Sequence, residues 1–151
     1  MPSITPFLWY DTQAEEAMKL YTSIFKRSKV ISVNKAGDRT ISVEFELEGQ
    51  RFMALNAGPK YKFNEAISMF VSCETQAEID EVWEKLTADG GGPTRCGWLQ
   101  DKYGLSWQII PRNLGRMMSD KDPARAGRVM EVVLRSDKLD MDELQRAYDG
   151  T

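Results

Sequence analysis

Apolar and polar side chains alternate along several short segments of the chain, a pattern that predicts strands, whereas other segments repeat apolar residues at helical spacing. The clearest strand–turn–strand pattern runs from Cys96 to Pro111. Asp101 and Gly104 bound its turn, because an acidic residue opens turns and glycine accepts positive φ. After the turn, one strand face carries Leu105, Trp107 and Ile109, and the other carries Ser106, Gln108 and Ile110. A hydroxyl and a carboxamide therefore share one face, which favours a pocket lining.

The first sixty residues predict a complete structural unit. The predicted segments are a strand over 4–11, a helix ending at about Phe25, and strands over 30–33, 40–47 and 51–57. Thr12 and Glu15, three residues apart, predict a capping box at the start of the helix. The segment from Ala36 to Arg39 predicts a hairpin between the second and third strands.

The same pattern then starts again. Residues 67–78 resemble residues 4–15 at a constant offset of 63, and Thr75 with Glu78 repeats the capping box. Asn56 and Gln108 each stand three residues before a proline. These matches favour a duplication over a coincidence between two similar strand–helix starts, and they predict two βαβββ modules.

The remaining residues predict a helical tail. Helices are expected over 124–134 and 141–148, with Asp140 as the N-cap of the second. Because these helices are polar on one side, we expect them to lie on the sheet or on a partner subunit. A chain of 151 residues predicts one domain, with module 1 at about 3–59, module 2 at about 66–112 and the tail at 113–151.

The composition limits the partners and the kinds of active site that the protein can have. A net charge of −3 gives no reason to expect nucleic acid or an anionic membrane as a partner. No apolar run approaches the ~18 residues of a membrane span, and the start of the chain has no leader pattern, so we expect a cytoplasmic protein. The chain contains no histidine, which excludes His-based catalytic triads and His-containing zinc or iron sites. Carboxylates remain available for a hard cation.

Four segments resemble one known family: Ala54–Pro59, Phe63–Ala66, Cys96–Trp98 and Asp101–Gln108. They resemble the demethylubiquinone 3-methyltransferase-like, or PhnB-like, branch of the vicinal-oxygen-chelate superfamily, which includes glyoxalases, bleomycin-resistance proteins and extradiol dioxygenases. The resemblance covers nearly the whole chain. It implies an α+β fold in which two βαβββ modules form a curved mixed sheet, and together with the chain length it implies a homodimer.

The resemblance also implies where a metal would bind, since metal enzymes of the superfamily use one ligand from the first and one from the last strand of each module. Carried onto this chain, those positions fall near Pro6, Asn56, Met69 and Gln108. Two carboxamides alone do not hold a divalent metal in water, so we expect no bound metal. The family name implies methyl transfer, but no Gly-x-Gly-x-x-Gly turn follows a strand, and we expect no cofactor.

Strand alternation combined with the superfamily arrangement predicts which residues face a concave cup. They are Leu8, Tyr10, Phe52, Ala54, Asn56, Met69, Val71, Cys73, Ser106, Gln108 and Ile110. The residues predicted to face the helices are Phe7, Trp9, Met53, Leu55, Phe70, Leu105, Trp107 and Ile109. Trp107 is therefore expected in the core, and Asp101 is expected to serve the turn.

Six residues are candidates for contacting a ligand: Asn56, Gln108, Ser106, Trp98, Tyr10 and Glu65. The two carboxamides either contact the ligand or hydrogen bond to each other or to the backbone, because buried amides must be paired. Trp98 is either a pocket wall or a core residue. Tyr10 either donates its hydroxyl to a ligand or extends it to solvent. Glu65 is either a base in a loop over the cup or a solvated charge.

Two functions remain open. The first is a metal-free binding protein whose cup holds a flat aromatic or quinone-like small molecule. The second is an enzyme of the superfamily, methyltransferase-, glyoxalase- or dioxygenase-like, acting on a quinone- or phenol-like substrate with Glu65 or a substrate group as base. Cys96 is a weak nucleophile candidate, because no histidine exists to activate its thiol. Whether each cup is built within one chain or across a dimer stays open.

Overall fold

The computed structural model describes residues 1–151, which form two compact units, Met1–Phe63 and Asn64–Thr151. Each unit has its own four-stranded mixed sheet. No helix is both long enough and apolar enough to cross a membrane. The expectation of a single domain stays a prediction.

The first unit has the predicted order of strand, helix and three strands. Its elements are β1 (Phe7–Tyr10), α1 (Ala14–Ile24), β2 (Ser28–Ala36), β3 (Arg39–Leu47) and β4 (Gln50–Asn56). The strands lie in the order β1-β4-β3-β2, with β1 parallel to β4 and the other pairs antiparallel. The hairpin predicted between β2 and β3 is confirmed, and Gly37 takes the positive φ of its turn.

One face of this sheet packs against α1. The helix buries Met18 and Tyr21, and Phe45 of β3 stacks on Phe52 of β4 with ring centroids 5.5 Å apart. Burying one large apolar side chain stabilises the fold by about 1.5–3 kcal/mol, so these residues fix which face of the sheet is covered.

The capping box predicted at the start of α1 is wrong. The N–H of Ala14 donates to Asn56 Oδ1 at 2.8 Å, and the side chain of the N-cap residue Gln13 makes no capping bond. Glu15 instead accepts a hydrogen bond from Thr40 and pairs with Lys19 at 3.0 Å. A side chain from β4 thus supplies the acceptor that sequence reasoning assigned to the local residue.

The second unit repeats this order and adds the tail. Its elements are β5 (Ser68–Cys73), α2 (Gln76–Thr87), a 3-10 turn (Ala88–Gly90), β6 (Gly92–Pro93), β7 (Trp98–Gln100), β8 (Ser106–Pro111), α3 (Leu114–Met118), α4 (Pro123–Arg135) and α5 (Met141–Asp149). The strand order is β5-β8-β7-β6, with β5 parallel to β8. The predicted Thr75 cap of α2 is confirmed, because Thr75 Oγ1 accepts from the Glu78 N–H at 3.1 Å, while the Glu78 carboxylate accepts from the Glu74 N–H at 2.9 Å.

A buried carboxylate fixes the turn between β7 and β8. Asp101 is only 2% exposed. Its Oδ1 accepts from the N–H groups of Tyr103 and Leu105 at 2.9 and 3.1 Å, and its Oδ2 accepts from Trp107 Nε1 at 2.9 Å. The expected turn role of Asp101 and the core position of Trp107 are both confirmed.

The tail packs at the end of the second sheet where β5 and β8 finish. Its apolar cluster consists of Ile110, Leu114, Met117, Val129, Val132, Val133, Leu139 and Leu144. The N–H groups of Cys96 and Gly97 donate to the carbonyls of Ser136 and Asp137 at 2.7 and 2.8 Å. Asp140 caps α5 as predicted, whereas the five residues of α3 were too short to give a periodic signal.

Candidate functional site

In the second unit, α2 covers one face of the sheet, whereas the other face carries the exposed Phe70 and is covered by the tail at Ile110. The buried Trp107 and Ile109 of β8 lie on the face that α2 covers. Residues paired across neighbouring strands share a face, and residues two apart along a strand do so as well. Gln108 and its cross-strand partners therefore lie on the opposite face, which we call the open face.

One row of the open face places a carboxamide between two aromatic side chains. Gln108 pairs with Phe70 on β5 and with Trp98 on β7. Phe70 is 62% exposed and Trp98 is half-buried. Because neighbouring strands lie about 4.8 Å apart, the two aromatic residues are separated by roughly 10 Å across the row. We call Phe70, Gln108 and Trp98 the aromatic row.

The neighbouring row carries hydroxyls. Ser106 pairs with Ser68 on β5 and with Gln100 on β7, and we call these three residues the hydroxyl row. Ser68 Oγ accepts a hydrogen bond from Gln108 Nε2 at 2.9 Å, which links the two rows. Gln100 Nε2 donates to Glu65 Oε1 at 2.6 Å, which holds the Glu65 loop beside the row.

The hydroxyl of Ser106 is the exceptional polar group of this face. The residue is completely buried, and its Oγ has no hydrogen-bond partner. Leaving a buried hydroxyl unpaired costs about 1–3 kcal/mol, so such a group in a native structure calls for an explanation. Because the hydroxyl is completely buried, a ligand atom would pair with it only after the surrounding side chains move.

Four of the six candidate residues thus belong to one face of one unit: Glu65, Trp98, Ser106 and Gln108. Sequence reasoning missed Phe70 and Ser68 as members of this site. Their inclusion depends on the register between β5 and β8, for which the sequence carries no signal. Gln100 shares the alternation of Trp98 and could have been found from it.

The structure places Tyr10 and Asn56 elsewhere, in the first unit. Tyr10 is buried, and its hydroxyl lies 3.0 Å from that of Tyr21 on α1. Asn56 accepts from the Ala14 N–H and donates through Nδ2 to the Thr40 carbonyl at 3.0 Å. Its carboxamide borders a polar cavity of about 650 Å³ at the end of the sheet, but both of its polar atoms already have protein partners. A contact between either residue and a ligand stays a prediction.

The predicted cup-facing set is therefore wrong for β1, β4 and β5. The residues that the structure places on the helix-covered faces are Leu8, Tyr10, Phe52, Ala54, Asn56, Met69, Val71 and Cys73. The residues on the opposite faces are Phe7, Trp9, Met53, Leu55 and Phe70. For β8, the predicted division of faces agrees with the structure, since Ser106, Gln108 and Ile110 lie opposite the face that α2 covers.

The error has one cause, which is the register of the repeat. Tyr10 pairs with Asn56, and its counterpart Cys73 pairs with Pro111, not with Gln108. Aligning the modules on their prolines displaced the last strand by three residues. An odd displacement moves every side chain to the other face.

The true counterpart of the aromatic row has a different composition. In the first unit Phe7 pairs with Met53, and Met53 pairs with Glu44. Phe7 is 54% exposed, and Glu44 forms an ion pair with Arg51 at 3.3 Å. This row has an aromatic ring and a thioether but no carboxamide.

The metal implied by the superfamily does not fit these residues. With the register corrected, the first- and last-strand positions that share the open faces are Phe7 with Met53 and Phe70 with Gln108. They offer a single amide oxygen, whereas a hard divalent cation takes six or more oxygen ligands. No group of three or more Cys, Asp or Glu side chains is placed to hold a metal.

The two thiols lie outside both rows. Burial raises the pKa of the Cys73 thiol to about 11, so this residue stays protonated. Cys96 is half-buried beside the tail, with its sulfur 3.9 Å from the Leu134 carbonyl. Neither arrangement resembles that of an activated nucleophile, which needs an adjacent base or cation.

Comparison with known proteins identifies the family. The family model for 3-demethylubiquinone-9 3-methyltransferase matches residues 2–110. A Bacillus cereus protein, described as a candidate 3-demethylubiquinone-9 3-methyltransferase and PhnB protein, is 36% identical, with a TM-score of 0.68 over 73% of this chain and 99% of its own. No curated protein matches the chain.

Two more distant structures share the fold alone. A Frankia protein described as a glyoxylase/bleomycin resistance protein/dioxygenase domain is 13% identical, with a TM-score of 0.50 over 74% of this chain and 92% of its own. A candidate glyoxalase from Bacillus cereus is 12% identical, with a TM-score of 0.51 over 73% of this chain and 98% of its own. The predicted resemblance and the α+β fold class are both confirmed. The chain therefore belongs to the 3-demethylubiquinone-9 3-methyltransferase family, as does its PhnB-like relative from Bacillus cereus.

Proposed function

We propose that the protein binds a flat aromatic or quinone-like small molecule, without a metal, on the open face of the second unit. The observation that carries the proposal is the aromatic row. A carboxamide stands between two aromatic side chains there, next to a buried hydroxyl without a partner. Binding sites for small molecules combine mostly apolar walls with a few polar groups that fix orientation.

The distance between the two aromatic side chains of the aromatic row is suited to one planar ring of a ligand. With roughly 10 Å between the two aromatic positions, a planar ligand fits between Phe70 and Trp98 in stacked or edge-to-face contact. Gln108 would lie beneath that ring, with its Oε1 available because only Nε2 is bound to Ser68. An aromatic contact of this kind contributes about 0.5–1.5 kcal/mol beyond the area it buries.

Ligand titration of matched variants tests this function. Two suitable probes are 4-ethylphenol and 2,3-dimethyl-1,4-naphthoquinone, followed by calorimetry and by thermal shift. Trp98→Ala should weaken binding at least tenfold, because it removes one wall of the site. Met53→Ala in the corresponding row of the first unit should leave the affinity within about twofold. Equal losses in both variants, or no binding of any ring compound, would refute the proposal.

An enzymatic role is the second candidate, and the observation that favours it is the position of Glu65. Its carboxylate is held by Gln100 at the border of the open face, where a base could reach a ring substituent. Incubating the protein with the same ring compounds, with and without S-adenosylmethionine, and analysing the mixture by mass spectrometry separates the two functions. A new product that disappears in Glu65→Gln would favour the enzyme.

We also propose that the protein is a homodimer. Phe7 is more than half exposed on the face of its sheet that α1 does not cover, which leaves apolar surface available to a partner subunit. Light scattering should give twice the mass of the chain. A monomer across the accessible concentration range would contradict this expectation.

A further inference from the structure

We infer that the ligand of the open face is an arylalkylamine, an aromatic ring joined by a short chain to a protonated nitrogen. The inference rests on the proposed function and narrows it from any flat ring to a cationic one. Three features carry it: the hydrogen-bonding groups that the face leaves free, the charge at its border, and the distance between the two rows.

The free groups of the face include several acceptors. Each carboxamide uses a donor in contact with another protein side chain, Gln108 with Ser68 and Gln100 with Glu65. The Oε1 atoms of both glutamines accept no hydrogen bond from the protein. A carboxamide oxygen has two lone pairs, and a carboxylate oxygen only accepts. A ligand with N–H groups satisfies these oxygens, whereas a quinone carbonyl would accept from the second N–H of a carboxamide and leave the oxygens unpaired.

The negative charge at the border of the open face also favours a cationic ligand. Glu65 is the one charged residue among the seven residues that form the two rows and their border. Its contact with the protein is the hydrogen bond from Gln100, and no cation pairs with it. An anionic ligand would meet an uncompensated negative charge there. An ammonium group would gain an ion pair with Glu65 and, beside Trp98 or Phe70, a cation–π contact.

The distance between the rows sets the length of the chain. Residues two apart along a strand lie about 7 Å apart, which is the separation of Gln108 from Ser106. Glu65 lies beside the hydroxyl row through Gln100, so a ring in the aromatic row and a nitrogen at Glu65 are about one row apart. Two or three methylene groups bridge this distance. Ser106 belongs to the row between them, with its hydroxyl buried beneath the surface that this chain would cross.

Three ligands with the same ring and different charge test the inference. They are 2-(4-hydroxyphenyl)ethylamine, neutral 4-ethylphenol and 3-(4-hydroxyphenyl)propionate, titrated into the full-length protein at pH 7 and low ionic strength. The amine should bind about fivefold more tightly than the neutral compound, as one partly exposed ion pair allows, and the propionate more weakly than either. Raising the salt concentration should reduce the advantage of the amine.

Glu65→Gln is the decisive variant, because it removes the charge and keeps the acceptor for Gln100. It should abolish the preference for the amine over 4-ethylphenol. Glu84→Gln, the same substitution on the exposed side of α2, is the control and should preserve the preference.

The outcomes separate the two levels of the argument. If 4-ethylphenol binds as tightly as the amine, or if Glu65→Gln weakens both equally, the inference is overturned while the proposed function stands. If none of the three compounds binds, the proposed function fails and the inference fails with it.

Discussion

The two units share one order of elements, yet the carboxamides of Asn56 and Gln108, each in the last strand of its unit, have different roles. In the first unit Asn56 points toward the helix, where it accepts from the Ala14 N–H and donates to the Thr40 carbonyl. In the second unit Gln108 points away from the helix and leaves its oxygen free. The difference arises from register: Asn56 corresponds to Pro111, and Gln108 corresponds to Met53.

The two copies of this repeat must therefore be aligned by strand pairing before the role of a residue is transferred from one copy to the other. A displacement of three residues is small in sequence, but it exchanges a structural amide for a surface amide. The same contrast appears at the turns before the last strands. Asp101 is buried and accepts three hydrogen bonds, whereas Glu48 at the corresponding turn lies at the surface and pairs with Arg27.

The largest expected effect comes from those two turns. Asp101→Ala should lower the free energy of unfolding by about 3 kcal/mol, because it leaves buried donors of Tyr103, Leu105 and Trp107 without their acceptor. Glu48→Ala should cost less than about 1 kcal/mol, since its ion pair with Arg27 is exposed. Urea denaturation of both variants checks the difference. Equal costs would show that the turns contribute alike.

The two carboxamides should differ next. Asn56→Ala should destabilise the protein by about 2 kcal/mol, since one helix-capping bond and one bond to a strand carbonyl are lost. Gln108→Ala should cost about 0.5 kcal/mol or less, because its single bond joins two side chains on an open face. Thermal and urea unfolding measure both. A larger loss in Gln108→Ala would reverse the roles assigned here.

A smaller difference in stability is expected between substitutions at the two predicted capping boxes. Thr75→Ala should lower the stability by about 1 kcal/mol, because the Thr75 oxygen caps α2. Thr12→Ala should change it by no more than a few tenths of a kcal/mol, because Asn56 and not Thr12 caps the first turn of α1. Chemical denaturation followed by circular dichroism distinguishes the two. A substantial loss in Thr12→Ala would restore the first capping box.

The smallest expected difference is in how the stability of the protein depends on pH. The hydrogen bond from Thr40, together with the contact with Lys19, lowers the pKa of Glu15 below its usual value of 4.5. A lowered carboxyl pKa contributes stability that is present above the unfolded-state value and is lost as pH falls through the folded-state value. Glu15→Gln should therefore unfold with a slightly shallower dependence on pH below about 4.5. An unchanged slope in Glu15→Gln would contradict the expectation.

The sequence predicts most elements because alternation, helical spacing and turn residues are local signals. The hairpin at Gly37, the turn at Asp101 and the cap at Asp140 all follow from such signals. The faces of β1, β4 and β5 do not follow from local signals, because a short strand such as β1, whose four residues are all apolar or aromatic, has no clear parity. The pairing of Phe70 with Gln108 is a long-range fact, which only the folded sheet reveals.

Gly97 limits how far this protein can be shortened. A Cβ at this residue would lie 2.9 Å from Ile110 Cδ1 and 3.1 Å from Leu139 Cδ1, so the strand and the tail meet over a position without a side chain. Ile110 is also the last residue matched by the family model. A fragment that ends at Ile110 would lack the tail residues that bury this side chain. We expect such a fragment to aggregate. For this member of the family, the minimal unit for expression therefore includes the helical tail.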